Sequence, residues 1–201
     1  MTAADRASAI VLGLSVLALA ACATPFQQGR VALRDQRYAD AASHFREALT
    51  ADDRVDARFG LGVALYHLGD FDGALRSLES VAAERPRDPD GQLYLALTHL
   101  QRGDDAKARE HLTALRSLVV HPRVAAQVGR ALEVLAIGGL PRPLRQFLAA
   151  SLEDEFLWEQ EARDATRLRG QIDPGWGMYG DRAGWYPYGA LPYRGLGVPA
   201  P

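Results

Sequence analysis

Apolar residues along this chain fall into short blocks with helical spacing, divided by turn residues at near-regular intervals. The first block, Ile10 to Ala21, is an unbroken run of 12 apolar or small residues. It is too short to cross a bilayer as a helix, which needs about 20 residues. At Thr24-Pro25 a capping residue precedes a proline at a first helical position, a start signal for a helix. Tyr38, Ala41, Phe45, Ala48 and Leu49 then recur three and four apart. Further blocks hold Phe59, Leu61, Leu65 and Tyr66, then Ala74, Leu78 and Val81, then Leu95, then Ala108, Leu112 and Leu115. Gly69-Asp70 and Gly103-Asp104 separate them, each a glycine just past one helix and an aspartate to cap the next. Pro86, Pro89 and Pro122 fall in connections, where a missing backbone donor costs little.

After Pro122, Val124, Val128, Ala131, Leu132 and Leu135 share one face of a predicted helix from Arg123 to Ile137. Residues 138–143, Gly-Gly-Leu-Pro-Arg-Pro, break it and read as a linker. A long terminal helix follows over 144–169, with Leu144, Leu148, Leu152 and Phe156 four apart and Phe147 beside them. Its second half, from Trp158, is largely charged and reads as solvated or held against something outside the chain. Residues 170–201 carry no helical or strand period, and from Gln171 on they hold seven glycines and five prolines. Such a segment cannot build a core and is expected to be a disordered tail. Its aromatics, Trp176, Tyr179, Trp185, Tyr186, Tyr188 and Tyr193, suit contact with a partner, a glycan or the chain's own helices.

Comparing the chain with itself gives a period of 34 residues: Leu61-Gly62 recurs as Leu95-Ala96, Gly69-Asp70 as Gly103-Asp104, Ala74 as Ala108, Leu78 as Leu112 and Val81 as Leu115. Small residues at Gly62, Ala96, Ala74 and Ala108 let paired helices approach closely. The unit from Val55 to Pro86 carries the fullest set, and the pattern resembles the tetratricopeptide repeat. A weaker unit precedes it, with Gln36 in place of the turn glycine. The resemblance implies an all-α fold: an antiparallel helix-pair solenoid of about three repeats over 22–137 with a degenerate last helix, then C-terminal helices and the tail. It also implies a groove lined by the first helices of successive units. On this sequence the groove positions are Asp56, Phe59, Val63, Tyr66, Asp90, Leu93, Leu97 and Leu100, with Phe26, Arg30 and Leu33 in the weaker unit. That set is apolar with acids at one rim and suits a helix or an apolar-aromatic segment. The terminal helix or the tail is the competing occupant, filling the groove from within.

Leu19-Ala20-Ala21-Cys22 closes the first apolar run and resembles the lipobox of bacterial lipoproteins. Residues 1–21 then read as a signal peptide, with Arg6 ahead of the apolar run. The resemblance implies a diacylglycerol on the Cys22 thiol, cleavage before it and acylation of the new amino terminus. One myristoyl chain binds membranes only marginally, with an association constant of about 10⁴ per molar, so two or three chains give a lasting anchor. The expected place is the bacterial envelope, on the periplasmic side of the outer membrane, which Ala23 rather than aspartate after the cysteine favours. Cys22 is the single cysteine, so no disulfide forms within one chain and packing alone must hold the exported domain.

A net charge of -2 and the lack of a basic stripe argue against nucleic acid as a partner. His44, His67, His99, His111 and His121 show no metal-ligand spacing and read as solvated helix residues. Glu153-Asp154-Glu155 and Asp52-Asp53 read as solvated charge runs rather than paired catalytic acids. No nucleophile elbow or phosphate loop occurs, so no catalytic residue, metal or cofactor is expected. The expected function is a lipid-anchored scaffold or adaptor of the envelope that binds a partner polypeptide in the groove. The alternative is a structural or glycan-binding lipoprotein, its tail aromatics stacking on sugars such as those of peptidoglycan.

Overall fold

The computed structural model describes residues 24–172, with side chains to residue 165. Cys22, the segment before it and the tail aromatics from Trp176 to Tyr193 lie outside the described residues. Eight helices make up the described chain: α1 (Pro25–Arg34), α2 (Tyr38–Ala51), α3 (Val55–His67), α4 (Phe71–Glu84), α5 (Pro89–Arg102), α6 (Asp105–Leu118), α7 (Pro122–Ile137) and α8 (Arg142–Ile172). The fold is the expected all-α helix-pair solenoid. Residues up to Glu159 form one compact unit, and those from Gln160 a second, of which the structure describes the end of α8.

Local signals account for the boundaries. Thr24 and Gln27 form a reciprocal capping box ahead of Pro25, each side chain accepting from the other's backbone N–H. Asp70 caps α4 by accepting from the Gly73 N–H at 2.9 Å. Three helices end in the same left-handed turn, at Gly69 (φ 78°), Gly103 (φ 85°) and Gln36 (φ 58°). In each, the turn residue and its successor donate to carbonyls near the helix end: Gln36 to Leu33 and Arg37 to Ala32, Gly69 to Tyr66 and Asp70 to Leu65, Gly103 to Leu100 and Asp104 to His99. Gln36 therefore takes the conformation that glycine takes in the other two turns.

The pairs α1/α2, α3/α4 and α5/α6 stack so that α1 touches α3 and α3 touches α5. First helices of successive pairs thus form one continuous face. Phe45 of α2 is the key of the first junction, fully buried among Ala32, Ala41, Ala57 and Ala64. Its ring lies where Cβ atoms at Gly29 of α1 and Gly60 of α3 would come within 2.9 and 2.3 Å of it. Burying such a side chain contributes about 1.5–3 kcal/mol. Gly62 allows a similar close approach inside the second pair, where a Cβ would meet Leu78 of α4 at 2.7 Å.

Two boundaries differ from the sequence reading. α8 starts at Arg142, inside the expected linker, because Pro143 in a first turn loses no intrahelical bond. It runs on to Ile172, past the expected end at 169, because Gly170 costs a helix roughly 1 kcal/mol without ending it. Within the expected apolar stripe, Leu148, Leu152 and Phe156 are buried, whereas Leu144 and Phe147 are 41% and 69% exposed.

Candidate functional site

The face built by α1, α3 and α5 holds the groove positions, and its two ends differ. At the first repeat Arg30 is exposed and Phe26 and Leu33 are half-buried. Phe26 sets its edge against Phe45 at 6.0 Å between ring centroids, with the Arg54 guanidinium 4.9 Å above it. Phe59 and Asp90 are half-buried and Asp56 is exposed. The Asp56 carboxylate accepts from Arg85 at 2.6 Å, so that part of the acidic rim is paired. That bond and the carboxylate's charge push the Arg85 pKa up.

Deeper in the face, Val63, Tyr66, Leu93, Leu97 and Leu100 are all buried. The same core cluster includes Leu148, Ala149, Leu152 and Phe156 from the first half of α8. Five of the eight groove positions are therefore covered by the chain itself, and the terminal helix contributes to the cover.

The sequence reading missed the polar centre of this contact. Tyr94 donates its hydroxyl to Glu153 Oε1 at 2.8 Å, and His67 Nε2 lies 3.1 Å from the same oxygen. Tyr38 stacks on the His67 ring at 4.2 Å, while Tyr66 and Phe59 set their edges against Tyr94 at 5.7 and 5.8 Å. Burial first, and then the negative charge of Glu153, push the Tyr94 and Tyr66 hydroxyls well above their ordinary pKa. Both tyrosines stay protonated at physiological pH, so Tyr94 is a fixed donor. Glu153 belongs to the acid run that reads as solvated, yet it is 9% exposed. Its position explains why: it follows Ala149 by four and precedes Phe156 by three, at the edge of the apolar arc.

Other polar contacts flank this centre. Arg145 grips Asp105 through two parallel bonds of 2.9 Å. Gln127 of α7 donates to the Ser151 hydroxyl at 3.1 Å, and Arg123 of α7 meets Glu155 at 2.6 Å while covering the Trp158 ring at 4.7 Å. The helix from Arg145 to Trp158 thus touches α3, α5, α6 and α7.

Histidines do not follow the expectation of solvated helix residues. His67 faces Glu153, and His99, 2% exposed, stacks on His111 at 5.5 Å with His111 Nδ1 2.9 Å from Gln92 Oε1. Burial, and then the neighbouring His99, lower the His111 pKa. Among the described residues no three His, Cys, Asp or Glu side chains group to hold a metal ion, and no helix is long and apolar enough to cross a membrane.

Residues 26–77 and 67–130 each match the tetratricopeptide repeat family. Among solved structures, the chain is similar to the type III secretion translocator chaperone SycD of Yersinia enterocolitica, with a TM-score of 0.53 and 21% identity. That match covers 56% of this chain and 81% of the other. At this identity it speaks for the shared fold alone. No curated protein matches the chain.

Proposed function

Because the chain is a tetratricopeptide-repeat protein over residues 26–130, we propose that it is a non-enzymatic adaptor of the bacterial envelope, held to the outer membrane by lipid on Cys22, that docks a partner polypeptide against the face of α1, α3 and α5. The observation that carries the docking half is the seating of an amphipathic helix on that face, where Glu153 meets Tyr94 and His67. A surface that orders one helix by apolar and polar contacts together has the chemistry of a helix-binding groove. Asp56, Phe59, Val63, Tyr66, Asp90, Leu93, Leu97 and Leu100 line it, and its open end lies by Phe26 and Arg30. The anchoring half rests on Leu19-Ala20-Ala21-Cys22.

Site-specific photocrosslinking in the native cell tests the docking. A photoreactive residue at Phe59 is expected to capture a discrete envelope polypeptide that the same residue at Lys107, on α6, does not. Equal capture from both positions, or none from Phe59, refutes the groove as the docking face. For the anchor, Cys22→Ser should move the chain from the membrane to the soluble fraction. Continued membrane association of that variant refutes lipidation as the tether.

A further inference from the structure

Helix α5 is enclosed on every side. Its ten consecutive residues Gly91–Leu100 are all buried, where a helix with a free face buries a stripe of roughly three or four positions in seven. Leu148, Ala149, Leu152 and Phe156 of α8 complete the cluster that holds Leu93, Leu97 and Leu100. Glu153 ties that helix to α3 through His67 and to α5 through Tyr94. So α8 occupies the place on the first-helix face that an external helical ligand would take.

Three features bear on how firmly this helix is held. Its covalent tie passes through Gly138 and Gly139, both at positive φ (75° and 65°) and with no atom within 4 Å of an added Cβ, before the chain reaches the buried Leu140. Glycines in such a setting act as a pivot that no side chain locks. Polar side chains supply much of its attachment: Arg145 to Asp105, Ser151 to Gln127 and Glu155 to Arg123. Water replaces such contacts more readily than it replaces apolar packing. And it buries a carboxylate, Glu153, a group that costs free energy to take out of water.

Resting on the adaptor reading of this face, we propose that residues 142–159 are a displaceable internal ligand, and that the external partner is an amphipathic helix presenting the same inward pattern: an arginine, an aliphatic residue three positions on, a second aliphatic four further, a carboxylate directly after it and an aromatic three beyond that. In this chain those places are Arg145, Leu148, Leu152, Glu153 and Phe156. The two charged places are eight residues apart, about 12 Å along a helix. Their receptors differ in kind, the acceptor carboxylate of Asp105 at one end and the hydrogen-bonding partners His67 and Tyr94 at the other. A helix entering in the opposite direction sets its carboxylate against Asp105, so the groove reads direction as well as pattern. The tether keeps α8 at an effective concentration on the order of millimolar. A free helix therefore competes only when it is locally abundant or when α8 is weakened.

The probe is a fluorescein-labelled synthetic peptide of residues 142–159, titrated by fluorescence anisotropy against the full chain and against its Leu152→Asp variant. Leu152→Asp is expected to bind the peptide at least about tenfold more tightly than the unmodified chain. A peptide carrying Glu153→Arg is expected to lose at least about tenfold. No gain by Leu152→Asp with its helical circular dichroism intact, or equal binding of the Glu153→Arg peptide, overturns the proposal. Should Leu152→Asp fail to fold, hydrogen exchange on the unmodified chain decides: amides of residues 146–158 should exchange at least about tenfold faster than those of 93–100, and equal protection makes α8 a fixed part of the core. Peptide affinity without any polypeptide crosslinked at Phe59 in cells removes the adaptor reading and leaves displacement standing. Crosslinking at Phe59 without peptide affinity does the reverse.

Discussion

Replacing Gln36 by glycine should stabilise the protein. Gln36 ends α1 at φ 58°, in a turn whose counterparts after α3 and α5 use Gly69 and Gly103. A side chain in that left-handed conformation costs roughly 1–2 kcal/mol through the clash of Cβ with the following carbonyl. Glycine removes the clash but adds freedom to the unfolded chain, a penalty of about 0.4–1 kcal/mol. The difference favours Gln36→Gly by roughly 1 kcal/mol, because the side chain is exposed and the two turn bonds, Gln36 to Leu33 and Arg37 to Ala32, run through the backbone and survive. In a chain of this size that raises Tm by about 2–4 °C. The assay is urea unfolding followed by circular dichroism at 222 nm, beside a thermal melt, for Gln36→Gly, Gln36→Ala and Gly69→Gln. Gln36→Ala keeps a Cβ in the same place and should gain nothing, while Gly69→Gln should lose about what Gln36→Gly gains. Equal gains for the alanine and glycine variants would refute the strain argument, since the benefit would then come from losing glutamine rather than from relieving backbone conformation.

Other expectations follow from packing and protonation. Gly60→Ala places a methyl 2.3 Å from the fully buried Phe45 ring and should cost about 1–3 kcal/mol in the urea midpoint, with Phe45→Leu in the same chain restoring some of it. Tyr94→Phe removes the hydroxyl that donates to the buried Glu153 and should cost about 1–3 kcal/mol, measured the same way; a neutral result would mean that the carboxylate finds another partner. The lowered pKa of His111 makes stability depend on pH: below about 6.5, the unfolded value, the unfolded chain takes up a proton that the folded one resists. Stability should therefore fall as pH drops through that value and level off below the folded pKa, and His111→Gln should flatten the urea midpoint between pH 7.5 and pH 5.5.

Much of the solenoid is legible because each repeat carries its own local grammar. Leu61-Gly62 with Leu95-Ala96 and the two Gly-Asp turns recur at a 34-residue interval, and the turns, together with prolines in the connections, mark helix ends that Thr24, Asp70 and Gly103 then make by their own hydrogen bonds and backbone angles. Gln36 is harder to place, since a left-handed turn without glycine leaves no compositional trace. The docking of α8 is harder still, because periodicity shows that Leu148, Leu152 and Phe156 share a face but not what that face meets. Glu153 hides inside an acid run, and only its place at the edge of the apolar arc sets it apart from Asp154, which stays exposed. The histidines mislead for a similar reason: His67 and His99 gain their burial from Tyr38 and His111, partners distant in sequence.

The core is divided unevenly. Around Phe45 the first cluster is made almost wholly of alanines, whereas the second gathers leucines, valines and aromatics from α3 through α8. If the proposed anchor on Cys22 holds, pulling force would enter through the amino terminus, and the alanine cluster, with the smaller side chains, would be the first to yield. The leading helix pair would then peel away as a mechanical fuse, lengthening such a tether while the larger cluster stays folded.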